Sequence, residues 1–425
     1  MREMLLKRVV DYYLESGGFN GITVRALAES LEMELNELRR NVKKGVQAGR
    51  IRILSSCQEM NPHIIRFGFR EEEAQIACIE GDGFDSCCIY PAKEVLRSES
   101  NVEQYNDRPF SRMLAEGAGQ LETVFFELDL LELYRRDARY YYQCNDVGGS
   151  ICIVDKFCGE DSVAEKDKIL LEAFGFAFDD EENRFVVAFV GDVADLSPEH
   201  QSIWKSKQVK KSLMIHPGFY ESQILGKWPE GIPVFAAVLH EQRIINEMVQ
   251  KIRGRRVFRL DFGRYLERRP KEFAFLLRPS LKDFQEFVLL LDKLLSENLS
   301  REFFKDSVDL EREELREDGK VRLVPKGTIT LLDEWLRTNY RCGTWEPWEY
   351  VVSVFRKIRK LRQEPAHKIG EDVYDPTLFK QQRELIREVY SALSIFREIL
   401  STHPNCSGEV FEIPDAIKEG KIWSI

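Results

Sequence analysis

Histidine is scarce in this chain, and cysteine is present without order. The 425 residues hold six histidines, and the nine cysteines include no C-x-x-C pair. An odd count without framework spacing excludes a disulfide scaffold and predicts reduced, mostly buried thiols. Cys87 and Cys88 are adjacent, which suits a shared metal poorly. No apolar run approaches the roughly 18–20 residues of a membrane span, so no membrane partner is expected. The opening MREMLLKRVVDYYLES has a charged or polar group every few residues and no secretory h-region, so a cytoplasmic location is expected. GxxxxGK[ST], a strand-following GxGxxG, HExxH and GxSxG are all missing. The nucleotide-hydrolase, dinucleotide, zinc-protease and α/β-hydrolase readings thereby lose their main support. Neither a metal nor a cofactor is expected.

Enough apolar sequence is present for large cores: 43% of residues are hydrophobic and 32% charged. The length predicts roughly three domains of about 150 residues. The net charge of −10 means that the surface as a whole does not attract nucleic acid. Any phosphate-binding surface must be a local cluster of cations.

Residues 1–55 read as helix, short helix, longer basic helix and strand. MLLKRVVDYYLES carries apolar residues at helical spacing, and Thr23 is placed to cap TVRALAESL. In MELNELRRNVKKGVQAG, Leu35, Leu38, Val42 and Val46 form one stripe, while Arg39, Arg40, Lys43 and Lys44 fall off it. GRIRILSS then reads as a strand. The order resembles a winged helix-turn-helix domain, which implies DNA contact through those four cations. The same unit also serves dimerisation or protein contact.

Residues 56–278 read as a mixed α/β middle domain with a regulatory or sensing role. FGFAFDDEENRFVVAFV predicts a hairpin with one buried face and a solvated acidic tip, Asp179 to Glu182. Ser197 caps a helix at PEHQSIW. PVFAAVLHEQRIINEMVQKIRG reads as an amphipathic helix closing on glycine, and RRVFRLDF as a strand.

Residues 279–425 read as four helices in an up-and-down bundle, giving an α+β multidomain chain. The first helix runs through SLKDFQEFVLLLDKLLSENLSREFFK, with Ser280 at its cap. The third, EPWEYVVSVFRKIRKLRQ, has an apolar stripe of Val351, Val354, Phe355, Ile358 and Leu361. Arg362 lies near the centre of that stripe. A guanidinium keeps its charge, so Arg362 must meet a carboxylate, reach solvent or line a cleft that admits an anion. Asp292, Glu297, Asp333 and Glu334 are the candidate partners. Pro365 ends the helix, and His367 and Lys368 follow.

Arg362-Gln-Glu-Pro-Ala-His367 is an R-x4-H motif ending the third helix of a predicted bundle, and it resembles the motif of the HEPN superfamily. That resemblance implies a metal-independent endoribonuclease of the toxin or phage-defence kind. It implies RNA as substrate, a homodimer with a composite cleft, and an antitoxin or trigger protein as partner. Arg362 would stabilise the phosphorane and His367 move protons, with Gln363 standing where the family often has asparagine. Attack by the 2′-OH would leave a 2′,3′-cyclic phosphate. Arg356, Lys357, Arg359, Lys360 and Lys368 would hold the RNA backbone. The competing expectation is a DNA-binding regulator or adaptor in which the bundle is a non-catalytic dimerisation module.

Overall fold

The computed structural model describes residues 1–425 except 1, 58, 100–101, 160–162, 265, 316–320, 342, 364–370 and 425. It divides the chain into two compact units, residues 1–143 with 148–216, and residues 144–147 with 217–425. The division does not fall at the expected boundaries after residues 55 and 278. Helices and strands are mixed, so the chain is α+β and more than one compact unit. No helix among the described residues is long and apolar enough to cross a membrane.

The first unit opens with α1 (Arg2–Glu15), β1 (Ile22–Thr23), α2 (Val24–Ser30), α3 (Leu35–Gln47) and β2 (Ile51–Ser55). A third strand, β3 (Cys87–Pro91), lies between β1 and β2 and runs antiparallel to both. Thr23 caps α2 by accepting from the Ala26 N–H at 3.2 Å. Leu38, Val42 and Val46 of α3 are buried, whereas Leu35 opens the helix and remains exposed.

Residues 56–86, between β2 and β3, are built into this unit. They include α4 (Glu72–Glu80), which packs on α3. Buried Gln75 of α4 accepts from the Ile53 N–H at 2.9 Å and donates to the Arg70 carbonyl at 2.6 Å. Ahead of α4, the Tyr90 hydroxyl donates to the Pro62 carbonyl at 2.8 Å, and the Phe69 ring meets Tyr90 edge-on.

The rest of this unit centres on a sheet of β4 (Thr123–Glu127), β5 (Tyr140–Cys144), β6 (Gly148–Ile153), β7 (Leu170–Phe178), β8 (Arg184–Phe189) and β9 (Gln208–Val209). Their spatial order is β5-β6-β7-β8-β4-β9, with β10 (Met214–Ile215) beside β7. The hairpin β7–β8 forms where expected, but both of its faces are buried rather than one. Phe174, Phe176 and Phe178 share one face with Val186 and Ala188, while Gly175, Ala177, Phe185 and Val187 share the other, where the small Gly175 and Ala177 let a second layer close. The acidic tip satisfies itself, since the Asp179 carboxylate accepts from the N–H groups of Glu181 and Asn183 at 3.1 and 2.9 Å.

That second layer contains α5 (Pro109–Ala115), α6 (Val190–Ala194) and α7 (Pro198–Ser206), sewn together by one side chain. Gln201, fully buried, accepts from the N–H groups of Phe110 and Ser111 at 3.1 and 3.3 Å. It donates to the carbonyls of Ala194 and Leu196 at 2.8 and 3.0 Å.

The second unit is mainly helical: α8 (Val234–Arg253), α9 (Leu281–Leu294), α10 (Arg301–Phe304), α11 (Thr328–Asn339), α12 (Glu346–Gln363) and α13 (Thr377–Ser401). Helix α13 packs against α8 and α12, and α12 also packs against α9 and α11. Helix α8, expected in the middle domain, therefore belongs with the C-terminal helices. The expected first bundle helix is two pieces. It stops at Leu294, and the Asn298 amide takes the Leu294 carbonyl at 3.1 Å. The expected strand RRVFRLDF reduces to one bridge, Phe258 to Leu299. Side chains occupy its backbone instead. Asn246 bonds both the N–H and the carbonyl of Phe258, and the side-chain amide oxygen of Asn298 accepts from the Leu260 N–H.

Three further features complete this unit. Strand β11 (Ile232–Pro233) pairs in parallel with β14 (Ile422–Trp423). Between α10 and α11 stands a two-stranded hairpin, β12 (Glu311–Leu315) with β13 (Val321–Pro325). The Trp423 ring lies so close to Gly218 and Gly231 that a Cβ there would come within 2.8 and 2.5 Å of it.

Gln201→Leu removes hydrogen bonds from four backbone groups at once, those of Phe110, Ser111, Ala194 and Leu196. The expected loss in unfolding free energy is about 3 kcal/mol, read from the midpoint shift in a urea titration.

Candidate functional site

Helix α12 turns its buried residues, Trp348, Val351, Val354, Phe355 and Ile358 among them, into the helical assembly. Arg362 continues that stripe at the helix end, and its guanidinium is engaged. It donates to the Asp292 Oδ2 at 2.7 Å and also contacts the Glu297 carboxylate. Arg359, one turn earlier, donates through Nε to Asp292 Oδ1 at 3.1 Å and through Nη2 to the Ser296 hydroxyl at 2.9 Å. The Ser296 hydroxyl in turn donates to Asp292. Asp292 is fully buried at the end of α9, so its charge is balanced entirely by these donors. The hydrogen bonds from Arg362 to Asp292, then Glu297, hold its guanidinium above the ordinary range for arginine.

This is a neutral assembly of two arginines and two carboxylates. A catalytic arginine needs unengaged N–H groups aimed at the charge that develops on phosphate. Here the inward fork already meets carboxylate oxygens.

The other cations expected to hold RNA point in different directions. Arg356 lies 3.7 Å from Asp333 of α11, Lys357 bonds both carboxylate oxygens of Glu388 of α13, and Arg359 faces α9. They do not line one cleft. Lys360 and Gln363 are exposed. His367 and Lys368 lie outside the described residues.

The cations of α3 are divided. The Arg39 guanidinium lies over the Phe84 ring, 5.1 Å from its centroid, and donates to the Gly81 carbonyl at 3.4 Å. Lys43 pairs with Glu80 of α4. Arg40 and Lys44, four residues apart and so on one helix face, are exposed. Half of the expected DNA-contacting set is thus engaged by the connection between β2 and β3.

Sequence reading missed the role of α4. Its acidic residues, Glu72, Glu73 and Glu80, gave a signal of charge complementarity to the basic α3. Among the described residues no group of three or more histidine, cysteine, aspartate or glutamate side chains is placed to hold a metal ion. No protein-family model, curated protein or solved structure matches this chain.

Asp292→Asn leaves Arg359 facing a neutral amide and Arg362 with the Glu297 carboxylate alone. Because both guanidinium groups reach solvent, the expected cost is about 1.5–3 kcal/mol of stability, that of hydrogen bonds to a charged group. Arg362→Ala should cost less, because Arg359 and Ser296 still serve Asp292. Paired denaturant titrations of the two variants check this order.

Proposed function

We propose that this chain is a DNA-binding regulator whose N-terminal unit carries a winged helix-turn-helix module. The helical assembly of the second unit is then a non-catalytic scaffold or dimerisation module. One observation carries the reading: the order α1-β1-α2-α3-β2-β3 with β3 between β1 and β2. In this reading α3 is the second helix of a helix-turn-helix pair and the connection from β2 to β3 is the wing, and the order supports it.

Arg40 and Lys44, exposed on one face of α3, supply the phosphate contacts. Arg66 and Arg70 of the β2–β3 connection flank Phe67, which is exposed, in an arginine–aromatic stretch at the wing position. In a chain of net charge −10, binding rests on such local cations. The engagement of Arg362 by Asp292 and Glu297 supports this reading over RNA cleavage.

Fluorescence anisotropy with a labelled duplex at several salt concentrations tests the proposal. Arg40→Ala/Lys44→Ala should weaken binding at least tenfold at low salt. It should also flatten the slope of log K against log salt by about two. Unchanged affinity in that variant would sink the reading. Cleavage of RNA that survives EDTA and disappears in Arg362→Ala would put the ribonuclease in its place.

A further inference from the structure

Residues 251–271 hold nine lysines and arginines against Asp261 and Glu267, in a protein whose net charge is −10. Charge runs usually dissolve into ion pairs on the surface. This one does so only in part, because of what its arginines bond. Arg253 donates to the Lys305 carbonyl at 3.2 Å and Arg255 to the Glu302 carbonyl at 3.0 Å. Arg259 donates to the Glu297 carbonyl. A fourth arginine, Arg301 of α10, donates to the carbonyls of Lys326 and Leu310 at 2.8 and 3.1 Å.

A carbonyl oxygen fixes a guanidinium without cancelling its charge. These four arginines are therefore oriented like ion-paired ones while most of their positive field remains. Within the run, Lys251, Arg264 and Arg269 are ion-paired with Glu409, Glu247 and Asp146 at 3.0, 3.2 and 2.9 Å, whereas beside the strip the carboxylates are looser: Asp306 is 3.7 Å from Arg255, Asp261 is 3.7 Å from Arg256, and Glu302 is 3.7 Å from Lys305. Burial, and then the neighbouring Arg255, hold the Arg253 guanidinium below its ordinary range, with Asp306 acting against them.

The side chains share one surface of the second unit. The segment through Phe258 runs antiparallel beside Leu299, with the Arg259 N–H on the Asn298 carbonyl and the Ser300 N–H on the Val257 carbonyl. Arg253, Arg255 and Arg259 thereby follow residues 297–305 past α10.

We propose that this arginine strip around α10 binds the phosphodiester backbone of a nucleic acid, independently of base sequence. The cations are spread along a segment, which suits an extended polyanion better than one small anion. Guanidinium forks match phosphate oxygens in pairs. The aromatic side chains nearest the strip, Phe258, Phe303 and Phe304, are buried and offer no platform for stacking bases, which leaves the backbone as the ligand.

The test uses the full chain, alone and with Arg40→Ala/Lys44→Ala, and measures binding to labelled duplex DNA and single-stranded RNA of two unrelated sequences each. Arg255→Gln/Arg259→Gln should weaken binding at least tenfold at low salt in both backgrounds, equally for both sequences. The salt slope should fall by about two. Whichever nucleic acid shows the loss identifies the source of the phosphodiester. Arg256→Gln, which removes only a loose pair with Asp261, should lower affinity about threefold without shifting the melting temperature. It serves if the double variant unfolds. Undiminished binding by folded Arg255→Gln/Arg259→Gln and Arg256→Gln proteins would overturn the strip. So would a loss confined to one sequence. A loss seen with Arg40→Ala/Lys44→Ala alone would remove the strip and leave the winged-helix reading standing.

Discussion

Asp292 has no exposed surface, and a carboxylate keeps its charge there only with positive charge held against it. Two arginines one turn apart on α12 supply that charge. Their engagement fixes the rotation of α12 about its axis, and the remaining contacts of the helix follow. At 100° per residue, Arg359 and Arg362 lie about 60° apart and both face α9. The same rotation sends Arg356 toward Asp333 of α11 and Lys357 toward Glu388 of α13. The buried ion pair thus sets which neighbour each cation of the helix meets, and it disperses a cationic row that looks continuous in sequence.

What could be read from sequence was mostly local. Thr23, Ser197 and Ser280 each accept from a backbone N–H three residues on, so a short window contains the whole interaction. The inward position of Arg362 followed from helical periodicity, and Asp292 and Glu297 were among the partners that chemistry allowed. Arg359, expected to hold the RNA backbone, borders the apolar stripe, and a carboxylate 67 residues away decides its direction. The strand expected at RRVFRLDF failed for a similar reason. The amides of Asn246 and Asn298 claimed its backbone, and no window of a few residues contains both asparagines. The burial of the second face of β7–β8 also depended on distant helices.

Cations in this protein differ by the kind of oxygen they bond. Those on carboxylates, such as Lys357 on Glu388 and Arg362 on Asp292, are neutralised where they stand. Those on main-chain carbonyls, such as Arg255 and Arg301, are held in place with their charge intact. Counting lysine and arginine along the sequence treats the two groups alike. The field outside the protein does not. A similar division runs through α3, where α4 and the turn after it engage Arg39 and Lys43 and leave Arg40 and Lys44 to solvent.

The parallel pairing of β11 with β14, locked by Trp423 over Gly218 and Gly231, has a consequence for synthesis. Chains emerge from the ribosome in order, and domains fold as their residues appear. The entry to α8 is made early, yet its partner strand and covering indole come only after all the other helices. A nascent second unit therefore carries an open edge at Ile232 through most of its translation. Its closure is a late event governed by the slow meeting of segments far apart in the chain.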